Sequence, residues 1–384
     1  MTRGIANPLR HGPAPLHARL DSLTGLRFFA AYFVLLHHVT NFARLPVLVH
    51  FEGFGATGVT FFFVLSGFVL TWSFRPSDAP RPFYWRRFAR IVPLHVLTTL
   101  IALPVFYAMQ GEPVAWGPVL LSLGLLQAWT FVPGIYFAGN PAAWSLSCEL
   151  FFYALHPLAI RRVLAARSLA LAIGGGAFLA AMAAVAQIAL GWPGEFTGWL
   201  LYIAPPFRLG EFALGVVLAV LTARGYRAPL GLLPATALLA GWFVFTYVVG
   251  PRTLDAAMLA RTGSAGYAIL PLLYGLVIVA AARLDLEARP SVLRWKPMVR
   301  LGEWSYALYL VHATIIYALM EVFGTHYRAM WTNLGWLALA SVIAIAASAL
   351  LYHLVEQPLE RWLRAHEPGK ASPAPAIPAS VEAA

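Results

Sequence analysis

Arg27 and His38 lie eleven residues apart in one apolar run, Leu23–Thr40. At about 3.6 residues per turn, eleven residues make about three turns, so both side chains share one helix face. They are separated by about 16 Å along the axis. An ionisable group inside a bilayer-spanning helix costs several kcal/mol and points to function before packing. One face thus carries a cation near one membrane surface and an imidazole near the other. That layout suits a protein that takes a group from one compartment and uses it toward the other.

Two further elements join this pair. Glu149 follows Trp144 in WSLSCEL, at the start of another apolar run. With about 1.5 Å per residue across about 30 Å of hydrocarbon, Arg27 is about 6 Å inside one boundary and His38 about 22 Å. Glu149 is expected about 7–8 Å below the far boundary, close to the depth of His38. A carboxylate beside a histidine holds one tautomer, which a general base needs. A hydrogen-bonded structural pair is the plainer alternative. Arg87 and Arg90 form R-x-x-R in FYWRRFARIVP. Their i, i+3 spacing puts both guanidiniums on one face, where planar forks suit phosphate. Orientation and lipid headgroup contact are the alternative, and the ready one for Arg75, Arg81 and Arg86.

Other polar residues carry less. Arg208 and Glu211 are i, i+3 and read as a self-neutralising pair or a site. His312 is expected near the midplane as a supporting group or a core histidine, and His37 points about 100° away from the Arg27 face. His353 and Glu356 read as snorkelling at a span end. Trp72, Trp85, Trp192, Trp199, Trp304 and Trp331 read as interface anchors. Ser66-Gly67 in FFFVLSGF reads as a close-packing point.

These groups need a membrane scaffold to position them, and the composition supplies it. The 384-residue chain is 60% hydrophobic and 11% charged, against about 25% charged for soluble domains. It is expected to be an all-α integral membrane protein. The net charge of +11 has a membrane cause, basic loops that set orientation, so no nucleic-acid partner is expected. Cys148 is the single cysteine, so no intrachain disulfide can form. Arg3, Arg10 and Arg19 precede a first run long enough to span, which reads as an uncleaved anchor.

Apolar segments fall at 23–43, 55–74, 91–109, 114–131, 144–160, 168–190, 206–223, 230–249, 265–282, 303–323 and 334–355. Basic residues decide how many cross. If 114–131 is short or re-entrant, one side holds 21 Lys/Arg and the other holds four: Arg44, Arg252, Arg261 and Arg328. If it crosses, the split becomes 11 inside against 14 outside. The expectation is ten spans plus one short helix, with both termini cytoplasmic. Residues 1–19 are expected to be a flexible segment, 20–365 the membrane domain, and 366–384 a disordered Pro/Ala tail.

The chain resembles membrane acyltransferase family 3 in LTGLRFFAAYFVLLHH (23–38), GVTFFFVLSGF (58–68), RRFARIVP (86–93), WSLSCELFFYALHP (144–157), FRLGEFALG (207–215), LGEWSYALYLVH (301–312) and YHLVEQP (352–358). The blocks occur in the family's order, and G-L-R…H, R-x-x-R and W-S-L-x-x-E are the specific ones. The resemblance implies ten spans in a bacterial-type cytoplasmic (inner) membrane. It also implies an acyl-CoA donor, acetyl-CoA foremost, used as co-substrate from the cytoplasm with no bound cofactor or metal. The acceptor would be a saccharide or other hydroxyl at the outer side. The family's essential Arg and His map to Arg27 and His38, its R-x-x-R to Arg87 and Arg90, and its acidic residue to Glu149. Thr24 and Phe28 depart from the family's usual L-D-G-L-R-G, and no C-terminal hydrolase-like domain is expected.

The implied chemistry is O-acyl transfer. Arg27, Arg87 and Arg90 would hold the donor, His38 would act as general base or carry the acyl group, and Glu149 would orient it. The alternative is a transporter or flippase of a polar or lipid-linked substrate, with the same charged interior and no covalent step.

Overall fold

The computed structural model describes residues 18–43, 55–75, 79–325 and 330–368. The expected flexible ends lie outside the described residues, apart from 18–19 and 366–368, as do Arg44 and Arg328. The described chain is all-α. Its main helices are α1 (Asp21–Val39), α2 (Gly58–Trp72), α3 (Pro80–Leu103), α4 (Trp116–Leu123), α5 (Trp144–Ala165), α6 (Ser168–Ala189) and α7 (Pro205–Ala223). They continue as α8 (Leu232–Val244), α9 (Ala256–Leu286), α10 (Lys296–Glu303), α11 (Ser305–Phe323), α12 (Met330–Leu351) and α13 (Gln357–Ala365). Seven helices among the described residues are long and apolar enough to cross a bilayer. With that content the chain is a multi-pass helical membrane protein.

The segment 114–131 is not one helix. Eight residues form α4, the chain turns at Gly124, and Leu125 takes a left-handed conformation at φ 56° before a short 3-10 turn, Gln127–Trp129. Eight residues span only about 12 Å, too little to cross. The third apolar helix begins at Pro80, not near 91, so Arg86, Arg87 and Arg90 all sit on α3. Pro80 and Pro82 open it, where missing N–H groups cost nothing.

The site-bearing helices are locked by close backbone approach. Gly67 of α2 and Gly215 of α7 interleave: a Cβ at Gly67 would collide with the Phe212 carbonyl, and one at Gly215 with the Val64 carbonyl. Small residues permit this packing in lipid, where apolar burial supplies little drive between helices. The packing expectation for Ser66-Gly67 therefore holds for Gly67. The first turn of α1 is tied to α9, because the Asp285 carboxylate accepts from Ser22 N and from Ser22 Oγ, both at 2.9 Å. Thr24 turns its carbonyl toward Gly302 of α10, and Phe28 stacks on Tyr32 with ring centroids 5.6 Å apart.

Trp72 is buried, and Trp85 and Trp199 are half-buried with their indoles bonded into the protein. Trp72 donates to Ala18 O at 3.0 Å, Trp85 to Leu363 O at 2.7 Å and Trp199 to Ala128 O at 2.9 Å. Each of these three indole N–H groups is met by a backbone carbonyl far away in sequence. Trp192 and Trp331 remain exposed, as an anchor requires.

Candidate active site

Helices α1, α2, α3, α5 and α11 enclose a cavity of about 160 Å³. Its polar lining is Arg27, Ser66, Arg87, Arg90, Glu149 and Tyr153, with Ser145, Ser305, Tyr306 and Tyr309. Four of the five expected site residues are therefore gathered at one place. Three cations face one carboxylate, so the space favours an anion.

The arginines differ in what they hold. Arg90 Nη1 lies 2.6 Å from Glu356 and 2.9 Å from Glu360, and its guanidinium sits over the Tyr306 ring at 5.7 Å. Its charge is spent within the protein. Arg27 and Arg87 have no ion pair or hydrogen bond among the described residues; Arg87 lies 6.0 Å from the Tyr153 ring centroid, and its Nε is buried without an acceptor. Two lining guanidiniums thus keep unused donors. Glu356 was expected to snorkel, yet it is 3% exposed. A π-helical turn, Tyr352–Glu356, continues α12 and carries it inward to Arg90, an instance of the widened turns that recur at functional sites.

Glu149 and His38 do not pair. Glu149 accepts a hydrogen bond from Tyr153 Oη at 2.9 Å, and the charges acting on it are Arg27, Arg87 and Arg90. His38 instead meets Val34 O at 2.9 Å and His312 Nε2 at 3.3 Å, both through Nδ1. Ala138, Asn140, Ala142 and Ala143, just before α5, are already buried, so the helix starts below the far boundary at which the sequence alone places it. Ser145 meets Tyr309, Oγ to Oη 2.8 Å, on antiparallel α11. Counting four residues from Ser145 to Glu149 and three from Tyr309 to His312 separates the two levels by about 10 Å. The carboxylate belongs with the arginines.

The histidine pair has a defined proton arrangement. Tyr309 O, which can only accept, lies 2.6 Å from His312 Nδ1, so that nitrogen carries the proton and Nε2 is the acceptor. Val34 O likewise requires the proton on His38 Nδ1, which it shares with His312 Nε2. His38 Nε2 is then left with a lone pair that meets no donor among the described residues, on a half-buried ring. Among the sequence alternatives for His312, the supporting group fits. Tyr309 links the two regions: it lines the cavity, and its ring lies 5.8 Å from that of His312.

Tyr153, Tyr306 and Tyr309 were not foreseen as site residues. Tyr153 had a signal, being i+4 from Glu149 on one helix face; the other two lie in the matched block LGEWSYALYLVH. Arg208 and Glu211 stand outside the cavity as a buried pair, 2.9 Å apart, with Thr60 Oγ1 donating to Glu211 at 3.0 Å. Their structural reading fits.

A helical membrane scaffold with ionisable groups turned inward toward one cavity defines a membrane enzyme or carrier, and sequence comparison decides between them. The family model described as acyltransferase domain matches residues 20–353, and the chain belongs to that family. It is similar to Acyltransferase MdmB of Streptomyces mycarofaciens, 37% identical over 94% of this chain and 97% of that protein. It is also similar to Exopolysaccharide production protein ExoZ of Rhizobium meliloti, 30% identical over 82% of this chain and 93% of that one. A third relative, Putative peptidoglycan O-acetyltransferase YrhL of Bacillus subtilis, is 26% identical over 89% of this chain and 55% of its own length. No solved structure matches the chain. The protein is an enzyme that transfers acyl groups.

Proposed function

We propose that this protein is a membrane O-acyltransferase that moves an acyl group, acetyl foremost, from cytoplasmic acyl-CoA to a hydroxyl of a saccharide at the outer side of the inner membrane. The observation that carries the reading is the cationic cavity, in which Arg27 and Arg87 have no carboxylate partner among the described residues. The relatives' names supply the acceptor class, since one is a peptidoglycan O-acetyltransferase and another an exopolysaccharide production protein.

In this reading Arg27 and Arg87 bind the donor, and Arg90 stiffens the wall through Glu356 and Glu360. Glu149 and Tyr153 orient the guanidiniums, a different role from holding His38. The acceptor O–H gives its proton to His38 Nε2 while its oxygen bonds the acyl carbon. The C–S bond breaks, and the CoA thiolate leaves with the proton held by His38, while the arginines, about 10 Å away, hold the rest of the donor. An acyl-histidine route uses the same nitrogen: Nε2 takes the acyl group as C–S breaks, and the acceptor oxygen then displaces it, its proton passing to the freed CoA thiolate. Purified protein given acetyl-CoA labelled in the acetyl group, with surface glycan as acceptor, should move label to the glycan. Label that stays on CoA for every glycan offered would mark a carrier instead.

Ten spans with both termini cytoplasmic complete the reading. The seven long apolar helices are joined by α1, α2 and α5, the three that carry Arg27, Ser66 and Glu149. Ionisable residues lower the mean hydropathy of α1 and α5, whereas α2 is apolar but only 15 residues long. A reporter active only in the cytoplasm should be active when fused after Ala384, and inactive when fused in the loop holding Arg252. The opposite pattern would overturn the orientation.

A further inference from the structure

A second cleft opens beside the cavity, with Leu70 and Arg87 lining both. It holds about 320 Å³, and its lining includes Arg75, Arg86, Arg87 and Arg364, with no carboxylate lining it among the described residues. Arg86 and Arg87 come from α3, Arg75 from the chain just after α2, and Arg364 from α13. The last arrives because α13 packs along α3, where Trp85 Nε1 reaches Leu363 O at 2.7 Å. Sequence alone assigned Arg75 and Arg86 to membrane orientation and lipid headgroup contact, and orientation does not require four guanidiniums round one cleft. Like charges so gathered repel one another and concentrate anions. Glu360 meets one edge of Arg364 at 2.5 Å, yet Arg364 Nε and Arg87 Nε are both buried without an acceptor among the described residues.

We propose that this cleft binds the phosphate-rich nucleotide end of the acyl donor, with the acyl-bearing arm passing Arg87 into the main cavity. The proposal rests on the donor reading above and gives that donor a subsite. Guanidinium forks pair phosphate oxygens bidentately, and a pyrophosphate with a further phosphomonoester supplies several such groups at once. A lipid headgroup phosphate offers the same chemistry. The donor is favoured because the cleft continues into the cavity through a shared arginine and a shared leucine.

The test is equilibrium binding to the full chain in phosphatidylcholine nanodiscs, with coenzyme A and pantetheine as probes. Coenzyme A should bind about 100-fold more tightly than pantetheine, and Arg86→Gln and Arg364→Gln should each weaken it about tenfold. Pantetheine affinity should not change in either variant, whereas damage to the fold would weaken both probes. Equal binding of the two probes by the wild type would overturn the subsite and leave the donor reading standing. So would variants that keep coenzyme A affinity and instead lose retention of phosphatidylglycerol, the mark of a headgroup site. A wild type that binds neither probe would sink the donor reading itself, and this proposal with it.

Discussion

His38→Ala should reach the membrane in normal amount and lose acyl transfer by about 10²–10⁴-fold, the usual contribution of a positioned general base. The expectation follows from the proton arrangement. Two backbone carbonyls hold protons on Nδ1 of both rings, so the lone pair left on His38 Nε2 is the one available for chemistry. His312→Ala should cost less, about 10–100-fold, by analogy with the loss of a group that orients a metal-bound histidine. Labelled transfer in membranes containing equal amounts of each variant measures both. Wild-type transfer by His38→Ala would remove this nitrogen from the mechanism. A loss in His312→Ala as deep as in His38→Ala would make the pair one unit.

The second large effect is on stability. Arg208→Met should destabilise the fold by about 3–5 kcal/mol, because it strands the Glu211 carboxylate without its cation. Arg208 is 2% exposed and Glu211 1%, and the guanidinium also sits 5.1 Å from the Phe63 ring centroid and 5.6 Å from that of Tyr202. Changing both, Arg208→Met with Glu211→Leu, should recover most of the loss, since no buried charge is then left unpaired. Thermal unfolding in detergent, followed by the fraction still monodisperse, compares the three proteins. A double variant as unstable as the single would show that the ring and Thr60 contacts matter more than charge pairing.

These residues also show where reading the chain stops. The all-helical membrane class and the non-crossing of 114–131 were legible, because both are local matters of hydropathy, length and charge. Arg27, Arg87, Arg90 and Glu149 were legible as candidates because a charge in an apolar run is costly wherever the helix lies. Their company was not. Glu149 was matched to His38 by assuming that α5 begins at the membrane boundary, and buried irregular chain before Trp144 shifts it about 10 Å toward the arginines.

Composition, helix periodicity and the price of buried charge are properties of neighbouring residues, so the amino-acid order alone determined the class, the helices and the ionisable groups worth watching. Which of those groups meet depends on the crossing of helices far apart in sequence and on one widened turn. Tertiary packing alone decided that Glu356 secures Arg90 while Arg87 keeps its donors. The same packing made His312, 274 residues from His38, the partner that leaves Nε2 bare, and brought Arg364 to a cleft begun by Arg75 and Arg86. A helix dictates the direction of a side chain from its own axis; only its neighbours dictate what that side chain meets.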